Sequence, residues 1–220
     1  MPARLSTRIS IRWGDDEASE PTETLVMSVG GYFMDLRVVK ADNSVDWAFA
    51  GTRDIVARQP KLHCRWHHVI DSHNTFAPDE GFFTDLPNGD SLETGSMACM
   101  EKGGAVTDYE EIWRALPTEG LRAWILKRED AETNNITFLG RVGSEFFAMV
   151  QKRGGGPLTV QREVLEEDKW VVKYQSGGAA LPSLVNSGLS ALTNEVTWKQ
   201  GDEADVQGEK YTVCSTESSS

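Results

Sequence analysis

Long apolar runs are missing from this sequence. No stretch approaches the roughly 20 residues that cross a bilayer, and the opening Met1-Pro2-Ala3-Arg4-Leu5 contains no apolar segment of signal-peptide length. The expected compartment is therefore the cytosol, with the nucleus as the alternative, and no membrane insertion is expected. Basic clusters are missing as well. The chain carries 34 acidic against 22 basic residues, a formal charge of −12, and no Lys/Arg cluster is longer than two. A protein that neutralises phosphates needs a basic footprint, so nucleic acid and anionic lipid are excluded as expected partners. Cysteine is scarce: Cys64, Cys99 and Cys214 are odd in number and widely spaced, which fits neither a disulfide framework nor a metal knuckle. Buried free thiols in a reducing compartment are expected, and the sequon Asn135-Ile136-Thr137 is accordingly expected to carry no glycan.

The motifs of the commoner enzyme classes are absent too. There is no Gly-x-Ser-x-Gly elbow; Gly95-Ser96 and Gly143-Ser144 fall in a strand and a turn. Gly154-Gly155-Gly156-Pro157 is followed by no Gly-Lys-Ser/Thr, so it reads as a hairpin turn and not as a phosphate loop. Adjacent acids such as Asp79-Glu80, Glu110-Glu111 and Glu166-Glu167-Asp168 would point to opposite sides of a strand, which argues for solvated surface over a shared acid/base pocket. All four histidines lie between 63 and 73. On an unbroken strand His63, His67 and Asp71 would share one face and Cys64 and His68 the other, too few ligands on either face for a transition metal. No metal, cofactor or catalytic residue is expected.

What is abundant is period-two alternation. Tyr32 to Val39 sets Tyr32, Met34, Leu36 and Val38 on one face and Phe33, Asp35, Arg37 and Val39 on the other. Similar runs occupy Leu62 to Ile70, Leu121 to Lys127, Ile136 to Val142, Glu145 to Gln151, Leu158 to Leu165 and Trp170 to Tyr174. Separators such as Val29-Gly30-Gly31, Pro87-Asn88-Gly89-Asp90 and Lys102-Gly103-Gly104 supply hairpin turns. Thr107 to Arg114 could open with a capping box, but its place between a Gly-Gly turn and Pro117 favours a strand. Only Ala179 to Leu192 shows nearly helical spacing, and a short helical segment is expected there.

The break Leu116-Pro117-Thr118-Glu119-Gly120 divides the chain into residues 1–117 and 121–216. In each half two strands close the segment, around Gly103-Gly104 in the first and around Gly201-Asp202 in the second. The expected architecture is all-β, two tandem antiparallel barrels, each able to fold alone. Alternation places Trp47, Phe49 and Gly51 on one face of Asp46 to Thr52 and Ala48 and Ala50 on the other. The aromatics are expected inside, and the small Ala48/Ala50 face is expected to let another element approach closely.

Asp46-Trp47-Ala48-Phe49-Ala50-Gly51-Thr52 resembles the Trp-Ala-Phe-Ala-Gly signature of a fungal family, written here as the Hri-one family and named for an association with a casein kinase I. Glu93-Thr94-Gly95-Ser96 and Tyr109-Glu110-Glu111-Ile112-Trp113 resemble that family's further elements in the same order. The resemblance implies two tandem lipocalin-like (calycin-like) barrels and no assigned enzyme activity. The expected function is a non-catalytic adaptor or regulatory protein with a protein partner, a protein kinase of casein-kinase-I type being the one implied. The alternative is a carrier of a small apolar ligand inside one barrel. Trp47, Phe49 and Trp113 are the candidate ligand or partner residues.

Overall fold

The computed structural model describes residues 2–185, 192 and 195–217, and almost all of their regular structure is strand. Eight strands form the first half: β1 Arg4–Trp13, β2 Thr22–Val29, β3 Tyr32–Val39, β4 Val45–Ala57, β5 Leu62–Asp71, β6 Asp79–Asp85, β7 Ser91–Cys99 and β8 Ala105–Leu116. Each pairs antiparallel with its sequence neighbour, and β8 returns to β1 through Leu5 opposite Leu116 and Trp13 opposite Tyr109, closing a barrel. Closure leaves the barrel no free edge. The Thr107 to Arg114 segment is strand, within β8.

The second half forms a seven-stranded antiparallel sheet from β9 Ala123–Asp130, β10 Asn135–Val142, β11 Glu145–Lys152, β12 Thr159–Glu166, β13 Lys169–Ser176, β14 Glu203–Val206 and β15 Glu209–Glu217, ordered β13-β12-β11-β10-β9-β15-β14. This corrects the expectation of a second closed barrel. Among the described residues β13 and the four-residue β14 stand at opposite edges. Between them in the chain, the described residues Leu181, Leu184, Leu192 and Trp198 cover one face of the sheet, over Trp124, Phe146 and Trp170. The last hairpin turns at Gln207-Gly208, not at Gly201-Asp202, because those two residues carry the positive φ of 56° and 84° between β14 and β15. The expected helical segment runs without helix through Val185, and its remainder, apart from Leu192, lies outside the described residues.

The main apolar core lies between the two halves. Leu25, Met27 and Val29 of β2, Met34, Leu36 and Val38 of β3, and Ala48 and Ala50 of β4 face outward from the barrel. They meet Ala123, Ile125, Ile136, Phe138, Phe147 and Met149 on the inner face of the sheet. The Ala48/Ala50 face thus does admit a close neighbour. Both faces of β3 are covered, which is why its six central residues are all buried. Contact is close at Gly140, where a Cβ would come within 2.6 Å of the sulfurs of both Met27 and Met34. Polar bonds seal the margin: the Asp71 amide donates to Gln151 Oε1 (2.8 Å), Gln151 Nε2 donates to the Asp71 carbonyl (2.7 Å), and Tyr174 Oη donates to the Asn43 carbonyl (3.1 Å).

Because a side chain at 140 overfills a packed boundary, Gly140→Val should destabilise the whole chain by about 1–3 kcal/mol. Circular dichroism melts should show the first and second halves losing stability together; an unchanged melting temperature would mean that the two methionines yield freely.

Candidate functional site

The inner surface of the barrel is set by strand alternation. β3 sends Phe33, Asp35 and Arg37 inward, β8 sends Tyr109, Glu111 and Trp113, and β1 sends Arg8. Charged groups therefore fill the middle of the barrel, an interior that apolar side chains would ordinarily occupy. Arg37 Nη2 lies 2.9 Å from Asp35 Oδ2, and its Nη1 lies 3.5 Å from Glu111 Oε1. The same Glu111 oxygen receives Arg8 Nη1 at 2.5 Å, while Arg8 Nε reaches Glu20 Oε2 at 2.7 Å and its Nη2 donates to Thr22 Oγ1 at 3.0 Å. Burial opposes charge on Arg37, but the carboxylates of Asp35 and Glu111 outweigh it and raise its pKa. Burial likewise raises Asp35, against the pull of Arg37. Charges this deep hold their place only when paired and hydrogen-bonded, and each of these is.

One end of the barrel is capped by the signature segment. Trp47 is half-buried, with the Arg37 guanidinium 4.9 Å from its ring centre on one side and the His73 ring stacked at 5.2 Å and 7° on the other. Phe49, fully inside, packs against Trp47 (4.4 Å), His68 (4.5 Å) and Phe33 (5.6 Å). The buried carboxylate of Asp71 ties the cap together. It accepts from Trp47 Nε1 (3.2 Å) and the His73 amide (2.6 Å), and His68 Nδ1 sits 2.7 Å from it. That nitrogen also faces the Thr75 carbonyl (3.2 Å), and with two acceptors before it Nδ1 must carry the proton.

Toward the other end lies a cavity of about 120 Å³, with exposed Arg4 and half-buried Arg53 among the residues that line it. Trp66, Phe83, Met97 and Trp113 form its walls, and Asp35, Asp79, Glu93 and Glu111 line its depth. Glu93 accepts a hydrogen bond from Tyr109 Oη (3.1 Å). Burial, then the charges of Glu111 and Asp79, hold its carboxyl well above the usual carboxylate range. Burial raises Asp79 in the same direction, and burial together with Glu93 raises Tyr109.

Of the three candidate residues, Phe49 and Trp113 line the cavity, whereas Trp47 belongs to the cap. The histidine face is corrected. His63 and His67 point outward to Glu80 and Asp54, and Asp71 joins His68 instead. The reason is an irregularity in the β4–β5 pairing, where Ala50 opposes Ile70 but Gly51 opposes His68; the extra residue, Val69, reverses the alternation. Among the described residues no three His, Cys, Asp or Glu side chains converge as a metal site. The acid pairs divide as strand geometry requires, but one member of two of them goes inside. Glu80 and Glu110 pair with Arg65 and Arg12 on the outer surface, while Asp79 and Glu111 enter the cavity. Those two, with Arg8, Asp35, Arg37 and Glu93, are the site residues that sequence reasoning missed. The available signal was Asp35 and Arg37 two apart on the same face as Phe33. All three cysteines are buried and free, and burial pushes Cys214 up to about 11.

Two outcomes test this geometry. A carboxyl whose pKa is raised on folding binds protons more tightly in the native state, so its presence lowers stability as pH climbs from the unfolded toward the folded pKa. Glu93→Gln should therefore melt about 3 °C or more above the parent at pH 8, with the gap closing as pH falls toward 5; a gap independent of pH would contradict the burial of an acid there. Trp47→Ala removes the cap and should cost about 3 kcal/mol in urea unfolding. An unchanged midpoint would place Trp47 outside the folding core.

A profile of the family described as Protein HRI1 matches residues 4–215. Among solved structures, the crystal structure of uncharacterized protein YLR301w from Saccharomyces cerevisiae is similar over 99% of this chain and 100% of that one, with a TM-score of 0.77 at 16% identity. At that identity the likeness speaks for the fold. No curated protein shows significant similarity to the chain. With its family profile spanning the barrel, the cap and nearly the whole sheet, the chain belongs to the HRI1 family.

Proposed function

We propose that this protein is a non-catalytic adaptor that binds another protein, with a casein-kinase-I-type protein kinase as the partner class that its family resemblance implies. The supporting observation is the β7–β8 hairpin tip. Met100 and Val106 are each 77% exposed there, the largest exposures among the large apolar side chains of the described residues. The tip is a built feature. A turn of 3-10 helix, Met100–Lys102, is followed by Gly103 and Gly104 at φ 69° and 81°, and Lys102 Nζ is tied to Asp16 Oδ2 at 2.7 Å. Exposed apolar groups held on a rigid tip suit insertion into a partner's groove. Within the interior, Arg8, Arg37, Asp35 and Glu111 are spent on one another, which fits a reading without catalysis at those four residues. An apolar cargo, the alternative, is poorly matched to a cavity lined by carboxylates. Among the described residues no helix is long and apolar enough to cross a membrane.

Surface plasmon resonance with an immobilised casein kinase I catalytic domain tests the reading. Saturable binding is expected, weakened at least about tenfold by the Met100→Asp/Val106→Asp pair with the melting temperature preserved. Equal binding by the double variant would remove the hairpin from the interface, and no binding by the parent would remove the kinase.

A further inference from the structure

The barrel cavity carries a chemistry that the adaptor reading leaves unused. Its acids divide into two groups. Asp35 and Glu111 are paired with Arg37 and Arg8. Glu93 and Asp79 have no such partner: among the described residues Glu93 is hydrogen-bonded to the Tyr109 hydroxyl and Asp79 to the backbone amide of Glu80, and neither has a Lys or Arg within ion-pair distance. Glu93 is 6% exposed and shares the β7–β8 register with Glu111, so two carboxyls face each other across neighbouring strands. Arg37 acts on both acids through space and His68 on Asp79, but neither acid has a cation in contact; a carboxylate buried in this way is costly, and the cost falls once a cation reaches it.

Aromatic rings stand beside both acids. Trp66 is the cross-strand partner of Asp79, and Phe83 of Glu93; the two rings lie 5.8 Å apart. Trp113, opposite Ser91, adds a third wall. Its indole Nε1 is buried, with no hydrogen-bond partner among the described residues. Aromatic faces attract organic cations through the ring quadrupole. The volume of about 120 Å³ is a little below the roughly 150 Å³ of an apolar cavity that takes up benzene in another protein, which makes a single small ring the upper limit for an occupant. Exposed Arg4 is among the lining residues, so the cavity is in contact with solvent.

We propose that this cavity is a binding site for a small primary ammonium ion on a short aliphatic or single-ring body, Glu93 and Asp79 receiving the ammonium and Trp66, Phe83 and Trp113 the body. The ammonium N–H groups donate to the carboxylates, and the Arg37–Asp35–Glu111 cluster beneath keeps its own pairing. Arg4 and Arg53 stand elsewhere on the cavity wall, but at the Glu93–Asp79 end the selectivity runs against anions, because an incoming carboxylate would meet those two acids. This site is separate from the hairpin tip, so either can fail without the other.

Isothermal titration calorimetry of the full chain with n-butylamine and benzylamine, against 1-butanol, benzyl alcohol and benzoate at equal ionic strength, tests the assignment. At least one amine should bind with one-to-one stoichiometry and about tenfold or more tighter than its alcohol, while benzoate gives no saturable heat. Glu93→Gln keeps the shape of the side chain and should weaken the amine by about tenfold or more while leaving the alcohol unchanged. Quenching of tryptophan fluorescence should follow the same isotherm and be reduced in Trp66→Phe, with circular dichroism checking that this variant is folded. No saturable heat from either amine up to about 10 mM would overturn the proposal. So would benzoate binding as tightly as the amines, or an amine affinity untouched by Glu93→Gln.

Discussion

The close approach of two β layers at Gly140 governs the rest of the molecule. A barrel wall and a sheet can share a core only where their side chains interdigitate, and here the backbone of β10 comes so near that Met27 and Met34 occupy the space of its missing side chain. The small Ala48 and Ala50 on β4 let the layers come together from the barrel side. This boundary holds Leu36, Ile70, Ile125, Phe138 and Phe147, much of the chain's fully buried apolar volume. Each layer consequently completes the other, and the β3 strand, covered on both faces, belongs to both.

With the main apolar burial placed outside the barrel, its inside is free to be polar. That is the reverse of a small barrel stabilised by a greasy centre. Arg37 is the hub of the interior: it pairs with Asp35 and Glu111, and its guanidinium lies over Trp47 and Phe49. A buried guanidinium demands such saturation, because its planar fork must spend its donors before it leaves water. The sheet handles charge differently on its far face. There Arg141 and Trp124 Nε1 both reach Glu195, while buried Glu163 accepts from Ser183 Oγ and the Leu184 amide, so carboxylates pin the covering chain onto the strands.

Much of this was legible in the sequence. Period-two runs marked the strands, Gly and Asn marked the hairpins, and the small-large alternation of Trp47-Ala48-Phe49-Ala50 marked a strand packed on both sides. Three things were not legible. Alternation separates two faces without telling which is enclosed, so Asp79 and Glu111 read as surface acids until the barrel closed around them. A single extra residue at Val69 reversed the histidine face, and no local signal distinguishes a bulge from an unbroken strand. The second half has the same strand-and-turn grammar as a barrel, and nothing in it announces that Leu181, Leu184 and Trp198 cover the face of an open sheet.

Asp71 has a position unlike that of any other residue described here. Its backbone amide and carbonyl are both held by the side chain of Gln151 in the second half, while its carboxylate holds Trp47, His68 and the His73 amide in the first. The Asp71 amide exchanges its hydrogen only when its bond to Gln151 opens, so opening of the barrel cap is coupled to the sheet. Slow motions of the cap are thereby paced by the sheet behind it, and a protease meeting the native protein would find the signature segment guarded from the far side of the molecule.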